Sequence, residues 1–77
     1  MIRQLQETVD LKPGCKVVYA YPESGYDADK QFGMENLVVN KEYTVSKFQI
    51  HNWYTRIWLE EINNPRPFNS VLFGVKE

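Results

Sequence analysis

The sequence is poor in the residues that most reaction centres need. Among its 77 residues there is one cysteine, Cys15, and one histidine, His51. A single thiol closes no internal disulfide, which fits a reducing compartment. One Cys and one His do not make a structural zinc site. Asp27-Ala28-Asp29 begins like a calcium loop, but the remaining ligand spacing is absent. The four glycines, Gly14, Gly25, Gly33 and Gly74, fit no phosphate-binding fingerprint. No metal and no cofactor is expected. Long apolar runs are missing too, so no segment is expected to span a membrane. The opening residues Met1-Ile2-Arg3-Gln4-Leu5-Gln6-Glu7 are too polar for a signal peptide. The expected location is the cytoplasm.

Charge of one sign is also lacking. Nine basic and ten acidic residues give a net charge of −1. Such a chain has no long-range field to draw in DNA or RNA. Nucleic-acid binding is therefore expected to be weak, resting on a local basic patch.

What is present is a β pattern with an aromatic share of 14%, which suits strands and a small core. The length allows one domain, 1–77. Residues 1–10 read as an N-terminal arm, either extended or a helical turn or two, from the spacing of Ile2, Leu5 and Val9. Lys12-Pro13-Gly14 is a turn. A strand is expected at 16–21, with Val17, Tyr19 and Tyr21 on one face. Residues 22–36, punctuated by Pro22, Gly25 and Gly33, sustain no apolar period and read as a long loop. Asn40-Lys41 is a tight turn, since Asn tolerates the left-handed conformation. In the strand 42–50, Tyr43 and Val45 have one parity, Phe48 and Ile50 the other. Burying both pairs requires a bulge near Ser46-Lys47. His51-Asn52-Trp53-Tyr54 is a loop. The strand 55–62 alternates cleanly, with Ile57 and Leu59 inward and Arg56, Trp58 and Glu60 outward. Asn63-Asn64-Pro65-Arg66-Pro67 interrupts the sheet, and a last strand near 70–75 sets Val71, Phe73 and Val75 on one side.

The fold class is mainly β, a small five-stranded SH3-like barrel with a long loop after the first strand. An OB-like barrel is the rival, though it usually needs more residues and a helix. Val17, Tyr19, Val45, Ile57, Leu59 and Phe73 are expected to share one core.

Leu11-Lys12-Pro13-Gly14-Cys15-Lys16-Val17-Val18-Tyr19 resembles the opening segment of many SH3-like barrels. Leu37-Val38-Val39-Asn40-Lys41-Glu42-Tyr43-Thr44-Val45 is similar to a segment of small SH3-like barrel proteins of phage and prophage, with Asn40 where they usually carry glycine. Ile57-Trp58-Leu59-Glu60-Glu61-Ile62 resembles their following strand, and Phe68 through Phe73 their aromatic-bearing end. The resemblance implies the fold and a phage or prophage origin. It carries over no catalytic residue.

Catalysis finds little support in the residues themselves. His51 stands beside Asn52 and Trp53, not beside a carboxylate or thiol. Cys15 has no activating base in view. Glu60 and Glu61, adjacent on a strand, would face opposite sides and form no close pair. An enzyme is not expected. One constellation remains as a candidate binding surface: Trp58 and Arg56 on the outward face of their strand, Trp53, Tyr54 and His51 in the neighbouring loop, Lys47 nearby, and Tyr26 and Phe32 in the long loop. Aromatics with arginine dominate interface energetics, and such rings also stack on bases or on a proline-rich peptide. The competing use of these rings is to finish the core of a small domain. The first reading is a non-catalytic protein-interaction module, a phage or prophage accessory protein that binds a host or phage protein. The second is a nucleic-acid-associated barrel using Lys41, Lys47, Arg56 and the aromatics. The third is a structural or assembly subunit.

Overall fold

The computed structural model describes residues 1–63 and 65–76; Asn64, within the expected sheet-breaking segment, lies outside them. Strand β1 covers Ile2–Gln4, followed by one helical turn, α1, at Glu7–Asp10. Strand β2 (Lys16–Val18), helix α2 (Asp27–Asn36), β3 (Glu42–Ile50) and β4 (Thr55–Leu59) come next. The chain ends with β5 (Phe68–Asn69), a 3-10 turn at Ser70–Leu72 and β6 (Gly74–Lys76). The six strands form one antiparallel, curled sheet, a half-barrel in the order β1-β6-β2-β3-β4-β5.

The mainly β expectation holds, but six strands replace five. The N-terminal arm supplies one strand that was not expected, and β5 lies ahead of the expected last strand. Arg3 pairs with Val75 and Gln4 with Gly74, so the polar arm becomes an edge strand. Its second half is the helical turn, tied down by Asp10, whose carboxylate accepts from both Arg3 Nη1 and Nη2 at 2.7 Å and from the Gln6 N–H.

The expected long loop is also corrected. Its last ten residues form α2. Asp27 and Asp29 occupy its first turn, where the helix dipole favours negative charge. The Tyr26 N–H reaches Asp29 Oδ2 at 3.4 Å, and Lys30 pairs with Asp27 at 3.3 Å. No apolar period announced this helix because it turns little to the core. Gly33 is its one buried residue, and a Cβ there would come within 3.0 Å of the Tyr19 hydroxyl and 3.2 Å of Leu72. Glycine thus lets the helix lie directly on the sheet, while Phe32 stacks on Phe68 with ring centroids 4.7 Å apart.

Strand β3 binds the two halves of the sheet together. Its first residues pair with β2, and the register to β4 slips between Val45 and Lys47, placing the extra residue at Ser46. This is the bulge that the parity change required. Past it, Phe48 opposite Ile57 is half-buried, but Ile50 is exposed, because it lies at the outer end of the β3–β4 hairpin. Asn40 takes φ 69°, as its turn demands. Strands β2 and β4 are shorter than the stretches 16–21 and 55–62, and the expected strand 70–75 is broken by the 3-10 turn. That turn buries Leu72 and leaves Val71 half-exposed. The six core positions expected from alternation, Val17, Tyr19, Val45, Ile57, Leu59 and Phe73, are all buried in one cluster.

Candidate functional site

Strand β4 presents two faces. Thr55, Ile57 and Leu59 are buried, while Arg56 and Trp58 between them are half-buried on the other side. Register sets Lys47 opposite Trp58 and Gln49 opposite Arg56. The Lys47 ammonium sits 4.6 Å above the Trp58 ring, a cation–π pair. The indole Nε1–H donates to the Pro65 carbonyl at 2.8 Å. Trp58 therefore faces outward as alternation requires, with its edge fixed by the segment after β4. The cation it meets is Lys47. Arg56 turns instead to Tyr54, its Nη2 donating to the phenol oxygen at 2.5 Å and its guanidinium lying 5.2 Å from the ring. His51 stacks on the same Tyr54, with ring centroids 5.2 Å apart, and its Nε2 lies 3.1 Å from Gln49 Oε1. Trp53, at the hairpin tip, is 87% exposed.

A cleft of about 410 Å³ opens beside this face, between the start of α2, β4 and the β5 segment. Tyr26, Asp29, Tyr54, Arg56, Arg66 and Asn69 supply its polar and aromatic wall. Asp29 is held there by Asn69, whose Nδ2 donates to its carboxylate at 3.1 Å. Arg66 lies 4.2 Å above the Phe32 ring, which in turn stacks on Phe68. A second, shallower recess of about 210 Å³ adjoins it, lined by Gln31, Phe32, Glu35 and Arg66 among others.

The eight candidate residues thus fall into two groups. Tyr26, Tyr54 and Arg56 line the larger cleft and Phe32 the recess; Lys47, Trp58, His51 and Trp53 belong to the hairpin's outer face and tip. Helix α2, capped by Tyr26, brings Tyr26 to the cleft and Phe32 to the recess from what reads in sequence as a loop. Arg66, Asp29 and Asn69 were not in the candidate set. They meet only through long-range packing, and no local pattern marks them. Of the lysines weighed with the arginines, Lys41 stands over Tyr43 at 5.5 Å, away from the cleft.

The carboxyls with displaced acidities lie outside this region. Asp10 is held below the ordinary carboxylate range by the Arg3 guanidinium and the Gln6 N–H, against the opposing effect of burial. Burial pushes Glu61 upward, but bonds from Thr44 N–H and Oγ1, both 2.8 Å, and the nearby Lys16 charge outweigh it and leave the group below its usual value. Glu60 and Glu61 sit in the turn after β4, and Glu61 serves as a clasp on β3. Burial, with the Tyr43 phenol adding to it, pushes the pKa of Tyr19 up, and its hydroxyl finds no hydrogen-bond partner among the described residues. Cys15 is half-buried against the core. Among the described residues no three His, Cys, Asp or Glu side chains gather at metal-binding distance. No helix among them is long and apolar enough to cross a membrane.

Fold and surface together define a small, mainly β domain that carries an aromatic–arginine face and cleft beside its core. Residues 16–77 match the family described as Bacteriophage T4 protein Y07B, and the chain belongs to that family of phage proteins. No curated protein and no solved structure matches the chain.

Proposed function

We propose that this phage protein is a small non-catalytic interaction module that binds a host or phage protein in the cytoplasm of the infected cell. We also place its curled sheet beside the SH3-like barrels, on the strength of the Lys12–Gly14 turn, the Asn40 turn and the Ser46 bulge. The observation that carries the functional reading is the outer face of the β3–β4 hairpin. Lys47 on Trp58 and Arg56 on Tyr54 form two ordered cation–aromatic pairs outside the core, with Trp53 exposed beyond them. Ordered aromatic and arginine side chains lose little freedom on binding and are the residue types of interface hot spots.

Capture from infected-cell extract, with and without nuclease, identifies the partner. Trp58→Ala is then expected to leave the domain folded and to weaken partner binding by about 2 kcal/mol. Thermal unfolding and affinity are measured on the same preparation. If the variant unfolds while affinity per folded molecule is unchanged, Trp58 belongs to the core and the proposed face is wrong.

A nucleic-acid-associated role is the second reading, favoured by the meeting of Arg56 and Arg66 with Tyr26 and Tyr54 in one cleft. Its expectation is weak, salt-sensitive and mostly non-specific binding, because few phosphates would be neutralised.

A further inference from the structure

We propose that the cleft between α2, β4 and β5 recognises a carboxylate-bearing peptide segment, with Arg56 holding the carboxylate and the Tyr26 and Tyr54 rings flanking the adjoining apolar side chain. The proposal rests on the protein-interaction reading above and names the chemistry of the partner.

Three observations support it. The first is size and lining. A cleft of about 410 Å³ walled by Tyr26, Tyr54, Pro67 and Phe68, with a few polar groups converging on it, is of the kind that seats a small number of side chains. The second is charge. Among the described residues, Arg56 and Arg66 line the cleft with one acid, Asp29. That carboxylate is occupied by Asn69 and the Tyr26 N–H, in contacts that hold the start of α2 to β5. The third is the state of Arg56. Its guanidinium meets a neutral phenol, and among the described residues no carboxylate pairs with it. A guanidinium has five donors in a planar fork that matches a carboxylate in two parallel bonds. One of these donors reaches Tyr54; the phenol braces the group without neutralising it.

The same surroundings argue against a nucleic-acid strand. Asp27 is fully exposed at the start of α2, between the lining residues Tyr26 and Ala28 in sequence, and Glu35 lines the adjoining recess. A repeating phosphate backbone would run past both, whereas a peptide places one carboxylate at Arg56 and none elsewhere. The net charge of −1 supplies no compensating field.

The test uses the full chain, labelled with nitrogen-15, and four probes. These are a blocked heptapeptide with one glutamate beside a leucine, its glutamine counterpart, that counterpart with a free terminal carboxylate, and a ten-nucleotide oligothymidylate. The glutamate peptide is expected to shift the Arg56 Nε–H and the Tyr26, Ala28 and Asn69 amides, with an affinity that falls as salt is added. The free-carboxylate peptide reports whether a chain terminus serves as well as a side chain; a response to either supports the site. Arg56→Gln should weaken glutamate-peptide binding at least tenfold while leaving the rest of the spectrum in place, and Arg56→Lys should restore part of it. Arg66→Gln provides a second variant outside the strand. Equal binding of the glutamine counterpart, stronger binding of the oligothymidylate, or no response to any carboxylate peptide overturns the proposal. Shifts confined to the Trp53 and Trp58 indoles, or a captured partner that binds Arg56→Gln and Arg66→Gln as it binds the parent, would remove the cleft and leave the interaction module standing. If Trp58→Ala also changes nothing, both readings fall.

Discussion

The two faces of β4 are built from alternate residues of one five-residue strand, yet they are held in place by different physics. Thr55, Ile57 and Leu59 point into a core where Val45, Phe68 and Phe73 exclude water. Their positions are set by close packing, which is intolerant of lost volume. Arg56 and Trp58 are placed by individual contacts to Tyr54, Lys47 and Pro65. Such contacts fix orientation but contribute little to folding, since exposed polar and cation–π pairs are each worth about 1 kcal/mol or less. This domain folds on one face, and the other is available for the recognition proposed above. Substitutions graded from the first face to the second should show it.

The largest effect is expected at Phe73. Its ring is fully buried and meets Tyr19 and Phe68 at centroid distances of 6.1 and 6.3 Å. Phe73→Ala removes that packing and leaves a cavity, at a cost of about 4 kcal/mol. A domain of this size has about 4–12 kcal/mol in total, so urea unfolding should find the variant marginal or unfolded. A loss below about 1 kcal/mol would mean that the inner face is not the seat of stability.

Gly74→Ala should come next, at about 2 kcal/mol, through overpacking. A Cβ at this position would lie 2.6 Å from the Arg3 carbonyl oxygen and 2.7 Å from Ile2 Cγ2. The nearer obstacle is backbone, so β1 must be displaced. Hydrogen exchange should show protection lost first at Arg3 and Val75, which pair across β1 and β6. Unchanged protection there, with unchanged stability, would reduce β1 to a dispensable arm.

These two sites also show why the sequence disclosed some of the fold and withheld the rest. Phe73 and its partners were legible because inward residues recur at every second position and are apolar. The Ser46 bulge was legible as a break in that parity. Strand β1 was not, because Arg3 and Gln4 are polar and the pairing that makes them a strand lies at the opposite end of the chain. Helix α2 escaped notice for a related reason. Its hold on the sheet is a glycine and one stacked phenylalanine, which no apolar period records. The candidate surface divides in the same way. The outward pair Arg56 and Trp58 follows from alternation alone, whereas the cleft depends on α2 and on Asn69 reaching Asp29, which are facts of packing.

Acid should have a smaller effect, acting outside both faces. The folded-state pKa values of Asp10 and Glu61 are depressed. Each group therefore adds stability above its unfolded value, near pH 4, and loses it as pH falls through the lower folded value. Thermal unfolding followed from pH 6 to pH 2 should show a falling Tm across the acid end of that range. Asp10→Asn should lower Tm at neutral pH and flatten the acid slope. A variant curve parallel to the parent's would show that the Arg3–Asp10 pair does not couple to folding. Glu61 is the weaker contributor, since its side chain is open to solvent, which screens its contacts.

The smallest effect on folding is expected at the hairpin tip. Trp53 is 87% exposed, beyond the last β3–β4 pair of Ile50 with Thr55. Truncating it uncovers no core atom and, among the described residues, breaks no side-chain hydrogen bond. Trp53→Ala should therefore change stability by no more than about 0.5 kcal/mol, the usual range for surface positions. Solubility should hold or improve, because an isolated exposed ring is lost. The informative measurement is the pair of values, folding stability and affinity for the captured partner. Unchanged stability with weakened binding would extend the proposed recognition face from Trp58 to the tip. Unchanged stability and unchanged binding would end that face at Trp58, where Lys47 and Pro65 still order the ring. A clear loss of stability would erase the distinction between the two faces, because it would show that even the outermost ring of the hairpin contributes to the fold.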